Sequence, residues 1–191
     1  MPDRPDPATH AGEALRRIIA ARRLRRRRLT IAALIGCTAA PLAASTLWKA
    51  PVLLVWNASA SAPVGLYRVH GRGRISRGDM VVAWTPKLAR SLAAGRHYLP
   101  ANVPLVKRVA AAAGDRVCAD GSGLWINGRR VAERQRFDSA GRPMPRWTGC
   151  RWLGDGEYFL LMDSPLSFDG RYFGVTQRKD LVGRAVLLWA G

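Results

Sequence analysis

At 191 residues the chain has room for one ordinary domain and an appendage, and 31 basic against 13 acidic side chains give it a formal charge of +18. Residues 1–28 hold nine Arg and three acids, while the remaining charge is spread over residues 29–191 without a run comparable to "RRLRRRR" at Arg22–Arg28. Charge this diffuse suits a solvated surface, or one that meets anionic lipid, and argues against a specific nucleic-acid partner. With no close pair of cysteines and with His10, His70 and His97 scattered, no metal or other cofactor is expected.

In chain order, residues 13–28, "EALRRIIAARRLRRRR", place Leu15, Ile18, Ile19 and Leu24 near one stripe flanked by Arg, which predicts a helix within a basic tail over 1–28. Residues 29–48 form twenty consecutive positions without a charge. As a helix they would rise roughly 30 Å, the thickness of the bilayer hydrocarbon. Pro41 within them is tolerable in a membrane helix. The arginines before them would keep the N-terminus in the cytoplasm and send the remainder out. Trp48 and Trp56 suit an interfacial belt, and Lys49 a snorkelling position. A retained anchor is the expectation. A cleaved signal peptide ending near "APLAAS" and a buried soluble helix are the alternatives.

From residue 49 to 191 the character changes to short strand-like segments punctuated by Gly and Pro. "GLYRV", "DMVVAW", "PLVKRVAA", "GLWINGRRV", "EYFLLM" and "GRAVLLW" are the predicted strands. Asn127-Gly128 predicts a tight hairpin turn, and residues 86–101 leave room for one short helix. The expectation is a mainly β, antiparallel domain of about 140 residues, large enough to bury a core. Cys37 falls in the apolar run. Cys118 and Cys150 fall in the exported part, where an oxidising compartment permits pairing, and the sequence leaves both the paired and the free form open.

A Ser-His-Asp catalyst is hard to assemble from three scattered histidines. A serine can instead be activated by a neutral lysine amine. In water that amine has a pKa of roughly 10.4, and burial lowers it by disfavouring the ammonium. The chain uses Arg so heavily that only Lys49, Lys87, Lys107 and Lys179 are present, and only Lys107 sits in an apolar, strand-like segment, "VPLVKRVAAAAGDRV". Arg could not take its place, because guanidinium does not release its proton in proteins. The competing reading of Lys107 is a solvated charge on an edge strand.

"SASAPVGLY", "VKRVAAAAGDRV" and "SFDGRYFG…LVGRAVLLW" occur in the order found in type I signal peptidases, the S26 Ser/Lys family, and the resemblance covers most of residues 57–191. Within that family the pattern Ser59, Ser61, Pro63, Gly65, Tyr67 is most similar to the conjugal-transfer (TraF-type) peptidases. The resemblance implies an antiparallel β signal-peptidase-like catalytic domain behind one anchor, in the periplasm at the bacterial inner membrane. It implies Ser61 as nucleophile and Lys107 as general base, with Ser59 and the Ser61 backbone N–H turned toward the developing oxyanion. Ser167 corresponds to the serine that orients the lysine amine, and Asp169 and Arg171 to the pair that braces the site.

Two departures bear on this reading. General leader peptidases have Ser-Met-x-Pro-Thr, whereas here Ser61 is followed by Ala62 and Pro63, which keeps Ser59 as a second possible nucleophile. Met162-Asp163-Ser164 stands where general enzymes have Gly-Asp-Asn. Both favour the conjugation branch, whose members mature a pilin precursor and in some systems join its ends into a ring. Ser61 lies 13 residues beyond Trp48, so even an extended link keeps it within about 45 Å of the anchor, near a membrane-held precursor. The substrate would lie extended along a strand edge, with small side chains in shallow pockets. The alternatives to a peptidase are a non-enzymatic membrane-anchored component of a conjugation or secretion apparatus, and a nucleic-acid binder accounted for by charge alone.

Overall fold

The computed structural model describes residues 7–47, 52–71 and 73–191, excepting the side chains of 7–21, 42 and 45–47. The chain divides into two units, residues 1–51 and 52–191. The first contains one helix, α1 (Pro7–Leu47), which runs without a break through both the basic segment and the apolar stretch and carries Pro41 inside it. Thr30 and Thr38 return their hydroxyls to the carbonyls of Arg26 and Leu34, so these polar groups are satisfied within the helix itself. Among the described residues no helix is long and apolar enough to cross a membrane. Trp48 and Lys49, expected at the interface, lie outside the described residues.

The second unit is built almost wholly of antiparallel strands. In order these are β1 (Leu54–Asn57), β2 (Gly65–His70), β3 (Met80–Ala83), β4 (Leu105–Ala111), β5 (Arg116–Asp120), β6 (Gly123–Ile126), β7 (Arg129–Glu133), β8 (Gly149–Trp152), β9 (Glu157–Leu160), β10 (Thr176–Gln177) and β11 (Leu181–Ala190). Helix α2 (Lys87–Gly95) falls inside the stretch expected to hold one, and α3 (Gly170–Phe173) is a single turn after β9. Seven strands form one sheet in the order β1-β2-β11-β3-β4-β9-β10, and the other four form a second in the order β7-β6-β5-β8.

Every predicted strand forms, and "GLWINGRRV" folds into the β6–β7 hairpin. Asn127 and Gly128 at its tip have φ of 50° and 80°, the left-handed values that a two-residue type I′ turn requires. Three further strands of useful length, β1, β5 and β8, join them. Gly65 opens β2 because the chain passes too close for a side chain: a Cβ there would lie 2.1 Å from the Trp189 carbonyl oxygen.

Three apolar clusters hold the domain. Tyr67, Val69, Val82, Val106, Met162 and Ala185 pack across the middle of the large sheet. Val81, Val109, Tyr158, Leu160 and Leu181 pack beside them. Val117, Leu124, Ile126, Leu153 and Phe159 seat the small sheet. In the small sheet Cys118 lies directly opposite Cys150 in the β5–β8 register, and the two form a disulfide. Strand β4 contributes Val106 to one cluster and Val109 to another. The residue between them in the chain that matters most is Lys107, paired in register with Val81 of β3 and only 3% exposed.

Candidate active site

The turn after β1 is shaped by one side chain. Asn57, buried at the end of the strand, donates its amide to the carbonyls of Ser59 (2.9 Å), Ala62 (3.2 Å) and Pro63 (3.0 Å). Its Oδ1 accepts the Ser59 backbone N–H at 3.2 Å. The Tyr67 hydroxyl on β2 donates to the Pro63 carbonyl at 2.8 Å and secures the far side of the turn. An amide that can donate twice and accept at once is suited to this task. The result is a curled segment with Ala62 buried and Ser61 half-buried beside it.

Lys107 reaches this turn from β4. Its Nζ donates to Ser61 Oγ at 2.6 Å and to Ser167 Oγ at 2.8 Å. Ser59 Oγ lies 2.9 Å from Ser61 Oγ and accepts the Ser61 backbone N–H at 3.4 Å. All four side chains line one cleft of about 490 Å³. Burial drives the Lys107 amine down from its ordinary value; the Asp169 carboxylate pulls it partly back and the Arg171 guanidinium pushes it down again, leaving it at about 8. The cause is desolvation of the ammonium in a site with little water to solvate it.

Ser167 is held by a buried clamp. Asp169 (0% exposed) and Arg171 (1% exposed) form an ion pair at 2.8 Å. The Asp169 carboxylate also accepts the N–H groups of Met162 (3.1 Å) and Arg171 (3.2 Å), capping α3. Arg171 spends its remaining donors on the carbonyls of Met162 (2.6 Å) and Pro165 (3.0 Å). The loop from 162 to 171, with Ser167 inside it, is therefore closed at both ends by groups that have no water to compete with. Such a pair is costly to break from one side. The divergent Met162-Asp163-Ser164 fits the same frame: Met162 is core, its sulfur accepts the Arg108 N–H at 3.2 Å, and Asp163 pairs outward with Arg108 at 2.6 Å.

The six residues singled out in the sequence, Ser59, Ser61, Lys107, Ser167, Asp169 and Arg171, thus come together around one amine. Sequence reasoning missed Asn57, which sits just before the quoted "SASAPVGLY", and named Tyr67 in its motif without assigning it a role. It also missed Asp138. That carboxylate accepts the Tyr98 hydroxyl, the Arg142 Nε (2.7 Å) and the N–H groups of Ala140 (2.9 Å) and Arg142 (2.8 Å). These bonds, the Tyr98 hydroxyl first, hold it well below the usual carboxylate range. They fasten the hairpin in which Phe137 bridges Pro143 onto Tyr98, and Phe137, Asp138 and Tyr98 line the same cleft as the serines.

An antiparallel scaffold that brings a serine hydroxyl against a buried lysine amine is matched by a known class. The profile of the signal peptidase, peptidase S26, family fits residues 26–190, and the chain belongs to that family. Plasmid transfer protein TraF of Escherichia coli is 34% identical over 176 residues, covering 85% of this chain and 97% of that protein. Signal peptidase I V of Bacillus subtilis is 32% identical over 95 residues, 44% of this chain and 56% of that protein. Among solved structures, a signal peptidase I from Enterococcus faecalis covers 59% of this chain and 97% of its own at 23% identity, with a TM-score of 0.35.

Proposed function

We propose that this protein is a serine endopeptidase that matures an exported precursor using Ser61 as nucleophile and Lys107 as general base. The observation that carries the reading is the 2.6 Å contact between Ser61 Oγ and an amine that is 3% exposed and poised at about 8. When the amine is neutral, it accepts the Ser61 proton as Oγ attacks the scissile carbonyl carbon. The tetrahedral intermediate collapses with cleavage of the C–N bond, and the Lys107 ammonium returns the proton to the departing amine. Water then adds to the acyl-enzyme ester, its proton passing to Lys107; the C–O bond to Ser61 breaks, Lys107 returns that proton to Ser61 Oγ, and the carboxylic acid leaves. Ser59 Oγ and the Ser61 N–H, now bonded to each other, would turn to the developing oxyanion. Ser167 holds the amine in line, and the Asp169–Arg171 pair holds Ser167.

The likeness to a plasmid transfer protein supports a substrate from a conjugation apparatus, with a pilin-like precursor as the specific proposal. Ring closure would use the same acyl-enzyme, attacked by the precursor's own amine in place of water. Residues 29–48 anchor the protein in the inner membrane in this reading, with residues 1–28 in the cytoplasm and the β domain in the periplasm. The uncharged stretch behind "RRLRRRR" supports that topology.

The decisive experiment expresses the full chain with its precursor and compares wild type with Ser61→Ala and Lys107→Ala. Both variants are expected to insert and fold normally, by membrane fractionation and protease resistance, while the precursor stays uncut. Processing by Ser61→Ala alone would move the nucleophile to Ser59, and normal processing by both variants would overturn the dyad and favour a non-enzymatic assembly role. Mass spectrometry of the product separates the two fates of the ester, because a ring is one water lighter than the linear product.

A further inference from the structure

The cleft is larger than the reaction requires. A small side chain next to the scissile bond would leave most of its volume of about 490 Å³ empty. The cleft is also lined by apolar groups that the core does not use. Phe137 is 53% exposed, and Leu166, immediately before Ser167, is 82% exposed. Tyr98, Met144 and Phe168 complete the same wall, with the Phe168 ring packed on Tyr98, Tyr172 and Phe173. A soluble surface gains nothing from presenting such side chains together unless something covers them.

The charged group on this wall is already engaged. Asp138 directs its carboxylate to Tyr98, Arg142 and two backbone N–H groups. Arg142 lies over the Tyr98 ring, and Arg96 donates to the Pro143 carbonyl at 2.9 Å. The Phe137–Pro143 hairpin is therefore fixed in place before any substrate arrives, and it faces the cleft with hydrocarbon. Because the cleft is continuous with Ser61 and Lys107, a peptide lying across the serine runs along this wall as well.

We propose that the wall formed by Phe137, Leu166 and Met144 is a subsite for one bulky apolar side chain of the precursor, removed from the scissile bond, and that Asp138 is the residue that positions it. The proposal rests on Ser61 and Lys107 acting on an extended peptide. It adds a substrate requirement that small-residue pockets alone do not impose. A preformed site of this kind binds without the cost of ordering a loop.

The test uses the full chain in detergent, as the Ser61→Ala variant, so that binding is read without turnover. The probes are fluorescent peptides of Ala, Gly and Ser, with a single Leu or Phe walked along them, titrated by anisotropy. Burying the extra methylenes of Leu on an open wall is expected to tighten Kd about tenfold over Ala at one position. Adding Phe137→Ser or Leu166→Ser should shrink that Leu-over-Ala preference to within about twofold. Asp138→Asn should do the same with Phe137 present, which a purely local loss of hydrocarbon would not. Leu88→Ser, on the outer face of α2 and 90% exposed, should leave the preference as it was. Equal affinity at every position, or a preference that survives Phe137→Ser, would overturn the subsite. Cleavage of the same peptides with Ser61 and Lys107 intact is scored separately, so a failure of the catalytic reading is distinguishable from a failure of the subsite.

Discussion

The pH dependence of cleavage follows directly from the surroundings of Lys107. Only the neutral amine can take the Ser61 proton, so kcat/KM should track its neutral fraction. With the amine at about 8, that fraction is about one-hundredth at pH 6, one-tenth at pH 7 and nine-tenths at pH 9. The rate should rise roughly 90-fold between pH 6 and 9 and level off. An ordinary lysine at 10.5 would give a rise of about a thousandfold over the same range with no plateau. The measurement is the initial rate of cleavage of a quenched-fluorescence peptide or the natural precursor from pH 6 to 9.5. A limb still climbing at full slope beyond pH 9, or a rate indifferent to pH, would refute the desolvated amine.

The same group makes a linked prediction for stability. Its native value lies below its unfolded value of 10.5, so the folded protein binds fewer protons than the unfolded chain between about 8 and 10.5. Stability therefore rises with pH in that window, and below it the buried ammonium costs the fold about 3 kcal/mol. Relative to Lys107→Met, the wild type should gain stability as pH climbs from 8 to 10.5, read from urea midpoints. A difference between the two that is flat in pH would count against the burial.

Three further outcomes are expected. Ser167→Ala removes a hydroxyl 2.8 Å from the Lys107 amine and should lower kcat about 10- to 100-fold with little change in KM, measured by steady-state kinetics. Asn57→Ala strips the donor from three carbonyls of the serine turn, and should destabilise the domain by about 2–4 kcal/mol in denaturant unfolding while depressing kcat. Replacing both Cys118 and Cys150 by Ser opens a loop spanning 32 residues and should cost about 3–4 kcal/mol, seen by calorimetry as a lower Tm.

Lys107 stood out for a compositional reason, whereas Ser59, Ser61, Ser167, Asp169 and Arg171 were singled out only by the resemblance of their motifs to the S26 family. In a chain so rich in Arg, a lysine inside "VPLVKRVAA" is informative, because only lysine can give up its proton there. Strands such as β2 and β11 were legible as runs of Val, Leu, Tyr and Trp between Gly and Pro, although only the first half of β11 alternates buried and exposed residues. Strand β8 was not: all four of its residues are exposed, and it is held by pairing with β5 and by the disulfide rather than by a buried face. Strand β1 is hidden because "LVWN" follows directly on a run of apolar residues. Helix α1 ignores the boundary between basic tail and apolar stretch, since that boundary changes charge and not helical propensity. Asn57 and Asp138 were out of reach for a different reason. The worth of Asn57 depends on the backbone curling back toward it over the next six residues, and that of Asp138 on Tyr98, 40 positions away.

The disulfide has a bearing on the wall proposed as a subsite. The segment it closes, from Cys118 to Cys150, contains Phe137, Asp138, Arg142 and Met144, whereas Ser61, Lys107 and Ser167 all lie outside it. Cutting that covalent tie would lengthen the tether on Phe137 and Met144 while the bonds of Asp138 to Tyr98 and Arg142 stay in place. On the proposed topology, that tie would close only after translocation, once the segment meets an oxidising compartment.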